Sequence, residues 1–287
     1  PSVFGSLGPM ARTVTDAAKL LDCMVTGYDP LDPVTGYGVG HAAESYSAPI
    51  EADGARNALT GVRLGVIRES MGYESEPGLE DYARVEAVFD RSLAELASAG
   101  AEIVDPVVIP GLRDLLAKRA SEPGNDEASY AWYIDGCATK PYASQAEAMK
   151  SPLYDQVTIG VKNRWEATPT AERHYEYLKA RDELMAKFLG VMAEHNLDAI
   201  VHKAVEHEPT LIKDGVNPPY VTQKGAPAIN TFLTYVPTIV VPAGFTTADL
   251  PAGITFLGRP YSDVDMLRYA YAYEQATQHR RVPACAP

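Results

Sequence analysis

Hydrophobic positions along this chain recur with two periods. Between Thr13 and Gly27 the residues Ala17, Leu20, Leu21 and Met24 return every three or four positions, which predicts an amphipathic helix. Thr13 or Thr15 offers a hydroxyl to its open amides, and Gly27, with Pro30 and Pro33 beyond it, ends it. "VRLGVIRE" (Val62 to Glu69) is short, apolar and β-branched, as a strand requires. The next segment, "LEDYARVEAVFDRSLAELASAG", aligns Tyr82, Val85, Phe89, Leu93 and Leu96 on one helical stripe and stops at Gly100. "AEIVDPVVIP" then supplies a second strand, so the three segments form a β-α-β unit with parallel pairing.

The middle of the chain is helical and aromatic, with "SYAWYIDG" (Ser129 to Gly136) followed by "AERHYEYLKARDELMAKFLGVMAEHN". Three further strands are predicted in "LDAIVH" (Leu197 to His202), "PTIVVPAGF" (Pro237 to Phe245) and "AGITFLGRP" (Ala252 to Pro260). The helix "DVDMLRYAYAYEQATQH" closes the pattern. Near-continuous apolar strands alternating with helices imply an α/β fold, a mixed and mostly parallel sheet with helices on both faces. No repeat, linker or low-complexity tract interrupts residues 1–287, which are therefore expected to form a single domain. The stretch from Gly36 to Asn57 is the expected long surface loop.

Composition narrows the function classes. A formal charge of −13 over 287 residues, spread along the chain, supplies no basic stripe for nucleic acid. No apolar run reaches the about 18 residues that a membrane span requires. The three cysteines, Cys23, Cys137 and Cys285, are far apart and in no metal-binding spacing, which points to a reducing compartment, the cytoplasm. His195, His202 and His207 lie near Glu194, Glu206 and Glu208, but His-x-x-x-x-His suits neither helical nor strand spacing. These residues are expected to mark a strand end and its polar loop, with no metal.

Three ordered segments carry a resemblance. "GSLGPMARTVTDAAKLLD", "PTIVVPAGF" with "LPAGITFLGRPYSD", and "AYAYEQATQHRRVP" resemble successive landmarks of the amidase signature family, serine hydrolases that cleave carboxamides. The resemblance implies that these residues are the C-terminal portion of an amidase domain. It also implies a catalytic lysine, a serine in a cis peptide and a nucleophilic serine, the two serines lying in a Gly/Ser-rich stretch upstream of the Gly-Pro-Met-Ala-Arg element. No such stretch occurs among residues 1–287, and no Ser-x-x-Lys or Gly-x-Ser-x-Gly arrangement replaces it. No catalytic residue is therefore assigned here, and the triad is expected upstream of Pro1.

What the resemblance leaves to this chain is a pocket wall. Many family members carry Ser-Leu-Asp shortly before Gly-Pro, and Phe4 and Gly5 stand here where Leu and Asp would be, which tilts the expected substrate toward apolar or aryl amides. Thr231, Phe232 and Tyr235 fall in a segment similar to one that packs beside the family's active site. Tyr130 and Trp132 belong to an aromatic cluster suited to substrate recognition or to packing. The implied partners are an amide substrate and the N-terminal segment of the same protein, in cis or as a separate chain. A homodimer is left open, and no cofactor is implied. The alternative reading is a pocket-bearing scaffold derived from an amidase that binds a small molecule or a partner without catalysis.

Overall fold

A computed structural model describes residues 7–157, 159–218, 220–233 and 235–283, with the side chains of residues 125, 159, 160 and 164 left aside. The chain divides into two compact units, one made chiefly of residues 114–183 and the other of 8–113 with 184–287. The larger unit holds a five-stranded sheet, and the smaller is helical among the described residues.

The sheet is built from β1 (Arg63–Ile67), β2 (Glu102–Val107), β3 (Ala199–Lys203), β4 (Thr238–Phe245) and β5 (Pro251–Leu257), in the order β2-β1-β3-β5-β4. β1 pairs in parallel with both β2 and β3, while β5 runs antiparallel between β3 and β4. Four strands thus share one direction, as expected for a mixed, mostly parallel sheet. Five helices have eleven residues or more: α1 (Val14–Met24), α2 (Glu80–Ser98), α3 (Asn125–Asp135), α4 (Ala171–Glu194) and α5 (Asp263–Thr277).

Strand alternation sorts the side chains. Leu64 and Val66 of β1, Ala199 and Val201 of β3, and Ile254 and Phe256 of β5 face one side, where α1, α2 and α5 close over them in a single apolar cluster. The predicted stripe of α2, Tyr82, Val85, Phe89, Leu93 and Leu96, is buried throughout, and its last three residues belong to that cluster. Residues of opposite parity, Ile67, Ile200 and Leu257, are buried too, so the sheet has two covered faces. Position 65 is glycine because a Cβ there would lie 2.4 Å from the Leu197 side chain. No helix of the described residues is long and apolar enough to cross a membrane.

Two local readings change in the fold. Thr13 caps α1 by accepting the Asp16 amide at 3.0 Å, yet the helix buries Val14 and Ala18 while Leu20 and Met24 stay about two-fifths exposed. Contact with α5 sets this face, since the Val14 amide donates to the Glu274 carboxylate at 3.0 Å. The stretch 36–57 is also more than a surface loop. Tyr46, Ile50 and Ala55 are buried, and Asp22 on α1 accepts from the Tyr46 and Ser47 amides and from the Ser45 and Ser47 hydroxyls. Those donors, the Ser47 hydroxyl foremost, hold the Asp22 carboxyl below the usual carboxylate range.

Candidate functional site

The carboxyl ends of parallel strands are where α/β sheets present loops to ligands. Here the ends of the neighbours β1 and β3 are joined by a buried carboxylate. Glu206, 1% exposed, accepts the Met71 amide at 2.7 Å through Oε1. Through Oε2 it accepts the Ser70 hydroxyl at 2.6 Å, the Gly72 amide at 3.1 Å and the Ser75 hydroxyl. A third loop closes on the other two, with Tyr73 N–H donating to Ala226 O and Gly225 N–H to Tyr73 O. The approach is close enough to require glycine at two positions. A Cβ on Gly72 would lie 2.4 Å from Gly225 Cα, and one on Gly225, at φ +75°, would lie 2.9 Å from Glu206 Cβ.

Three more buried polar groups surround this junction. His207 Nε2 accepts the Glu76 amide at 2.9 Å and therefore carries no proton, so its Nδ1–H donates to Asp81, also at 2.9 Å. His202 faces the Lys203 carbonyl at 2.8 Å through Nδ1 and the Asn230 amide at 3.2 Å through Nε2. Burial, the largest influence, pushes its imidazole below the ordinary histidine value. Lys203, 3% exposed, donates to the Tyr82 hydroxyl at 2.7 Å and pairs with Glu86. Glu208 completes the set as the bidentate partner of Arg84, at 2.9 and 2.5 Å, and as acceptor of the Thr246 hydroxyl. Arg84 first, then Thr246, outweigh burial and hold its carboxyl below the usual range.

This arrangement fixes loops and does not activate a nucleophile. The hydroxyls of Ser70 and Ser75 are both spent on a carboxylate that also accepts two backbone amides. The rings of His202 and His207 bond to amide, carbonyl and carboxylate groups rather than to a hydroxyl. Among the described residues no group of His, Cys, Asp and Glu has the arrangement of a metal site.

The residues singled out in the sequence fall into separate places. Thr231 and Phe232 lie on one short helix, Ile229–Phe232, where the Thr231 hydroxyl is exposed and donates to Ala228 O while Phe232 is fully buried. Tyr235 is 44% exposed, its ring 5.7 Å from that of Tyr37. Tyr130 and Trp132 lie on α3 in the helical unit, the first half-buried against Trp165 and the second exposed. Phe4 and Gly5 lie outside the described residues, as does Cys285. Glu206 stands just after β3, at the strand end and polar loop expected for it, but nothing local in the sequence signals its bonds to residues 70–75. Sequence reasoning left out Gly72 and Gly225, which read as ordinary turn residues.

Known proteins agree with this architecture. The chain belongs to the Amidase family, whose model matches residues 1–267. It is 28% identical to a glutamyl-tRNA(Gln) amidotransferase subunit from Ralstonia pickettii, covering 96% of this chain and 58% of that protein. It is 26% identical to a probable amidase of Arabidopsis thaliana, covering 97% of this chain and 49% of that protein. Among solved structures, native peptide amidase from Stenotrophomonas maltophilia superposes with a TM-score of 0.64 at 25% identity, over 96% of this chain and 54% of that one. A bacterial aryl acylamidase shares the fold at a TM-score of 0.64 and 15% identity. The chain spans about half the length of the curated relatives it matches.

Proposed function

We propose that the protein to which this chain belongs hydrolyses a carboxamide C–N bond through an acyl-serine intermediate. The observation that carries the reading is the family match over residues 1–267, together with relatives whose names describe amidases. Amide hydrolysis needs an activated oxygen nucleophile, a base for its proton and donors aimed at the developing oxyanion. In this proposal a Ser-cisSer-Lys triad on a segment N-terminal to Pro1 supplies them, in cis or as a separate chain. The serine oxygen attacks the carbonyl carbon, the C–N bond breaks as the leaving nitrogen takes a proton, and water then releases the acid and restores the serine. No cofactor takes part.

The residues of this chain supply the scaffold and part of the pocket wall. Phe4 and Gly5, which stand where many family members carry Leu and Asp, are proposed to favour an aryl or aliphatic amide. Thr231 and Tyr235 are the other accessible candidates for the wall, while Phe232 acts from beneath as packing. Activity-based labelling tests the reading. The 287-residue chain should resist a fluorophosphonate, whereas the protein carrying the upstream segment should be labelled at one serine outside residues 1–287 and should release amine from an anilide. Stoichiometric labelling of any serine within the chain would place the nucleophile here. An unlabelled, inactive extended protein would favour the non-catalytic binding scaffold.

A further inference from the structure

Three consecutive residues beyond β3, Glu206, His207 and Glu208, each tie to a different partner, and only the bonds of His207 depend on a proton in the neutral pH range. His207 is 3% exposed. Its Nε2 accepts the Glu76 amide while its Nδ1–H donates to Asp81, so the bond to Glu76 exists only while the ring is neutral. An imidazolium carries N–H at both nitrogens, and a proton on Nε2 would meet the Glu76 N–H donor to donor.

The ring is held against turning away from that conflict. Asp81 fixes Nδ1 at 2.9 Å, the Tyr82 ring stands edge-on with its centre 5.4 Å away, and a Cβ on Gly225 would lie 2.9 Å from His207 Cδ2. Residues 76–79 are the softer side. All four are exposed, and the turn they form closes on the Leu79 N–H donating to Glu76 O at 3.0 Å.

Charge around the ring favours the cation that the Glu76 amide refuses. The elements packed about His207 present Asp81 and Arg84 from α2, Glu76 from the loop after β1 and Lys224 from the loop before Gly225, with Glu206 and Glu208 on either side in the chain. Lys224 is matched by Glu76 at 2.5 Å, and Arg84 by Glu208 at 2.5 Å and Glu80 at 2.8 Å. Asp81 and Glu206, by contrast, accept from the neutral imidazole, from hydroxyls and from amides.

We propose that His207 is an acid-operated latch. At neutral pH it holds the Glu76 amide, and protonation at Nε2 releases that amide and frees residues 76–79 from the junction. Glu206 is a carboxylate and keeps Ser70, Met71, Gly72 and Ser75 in place, so the opening is confined to the segment that leads into α2. The proposal concerns the junction alone and does not rest on the amidase reading.

Hydrogen exchange tests the latch in the protein carrying the upstream segment, the form expected to be monodisperse. At labelling times scaled to the intrinsic exchange rate, the Glu76 amide should lose about tenfold in protection between about pH 7.5 and pH 5.5, while residues 64–66 of β1 keep theirs. His207→Gln retains an acceptor oxygen and takes no proton, and should abolish the pH dependence. Asp81→Asn removes the carboxylate that favours the imidazolium, so it should move the loss to lower pH, and it covers the case in which the first variant fails to fold. Equal protection at the two pH values in the unsubstituted protein, a loss of the same size in His207→Gln or an unshifted loss in Asp81→Asn would overturn the proposal. The readout is local exchange, so its failure leaves the amidase reading to the labelling experiment.

Discussion

A carboxylate that accepts four hydrogen bonds in a buried place is held by its charge as much as by its shape. Glu206→Gln keeps the volume but turns one acceptor oxygen into a donor facing the donors of Ser70, Met71, Gly72 or Ser75. Leaving such groups unpaired costs about 1–3 kcal/mol each, so a loss of about 3 kcal/mol is expected, seen as a lower urea midpoint at unchanged slope. A loss below about 0.5 kcal/mol would mean that the loops are held by something else. Glu208 gives a pH signature. Its folded-state carboxyl titrates below its unfolded value of about 4.3, so its stabilising contribution is complete above that pH and disappears as pH falls through the folded value. Glu208→Gln should therefore cost about 2 kcal/mol at pH 7, and the gap to the parent should close as both are acidified below about pH 4. A gap independent of pH would show that packing, not the Arg84 pair, is what the substitution removes.

At the scale of elements, the junction depends on how near two loops approach. Gly72→Ala brings a methyl carbon to 2.4 Å of the Gly225 backbone, and Gly225→Ala combines a φ of +75° with a 2.9 Å contact to Glu206. Neither neighbour is the free end of a flexible side chain. Each substitution should destabilise by more than about 2 kcal/mol, and amide exchange should rise in residues 70–76 and 222–228 before it rises in the strands. Protection unchanged in those two loops would refute the close approach. Contact between elements also explains α1: helical spacing in the sequence allows several inward stripes, and Glu274 on α5 chooses the one centred on Val14 and Ala18. It likewise explains why 36–57 is ordered by Asp22, a residue whose own element shows nothing of the loop it caps.

For the whole molecule, the terms that matter are exposed apolar surface and open strand edges. β2 and β4 are the outer strands of the sheet, Val240 on β4 is 55% exposed, and Leu7 and Met10 are more than nine-tenths exposed. Unpaired edges beside uncovered apolar side chains promote association, and at about 25 cal/mol per Å² a few hundred Å² of such surface amounts to several kcal/mol. The 287-residue chain should therefore elute as mixed oligomers and melt broadly. Under the proposed function, supplying the upstream segment in cis or in trans should return a monodisperse species with a sharp transition. A lone chain that is already a monodisperse monomer with a cooperative melt would sink this expectation and favour the self-contained binding scaffold.

The sequence by itself determined the elements whose signal is local. The stripe from Tyr82 to Leu96, the apolar run of β3 and the Thr13 cap all follow from spacing within a dozen or so residues, and they are where the pattern placed them. The α/β class followed from their alternation, and the family from motifs kept in order along the chain. Tertiary structure alone decided which groups meet. Glu206 finds Ser70 across 136 positions, Arg84 finds Glu208 across 124, and Gly72 meets Gly225 only because β1 and β3 lie side by side. Aromatic spacing drew notice to Tyr130 and Trp132 alike, but only packing turns the first against Trp165 and leaves the second in solvent. Periodicity reports what a residue's neighbours in the chain require. A hydrogen bond or a cavity wall is set by distance in space, which no local pattern encodes.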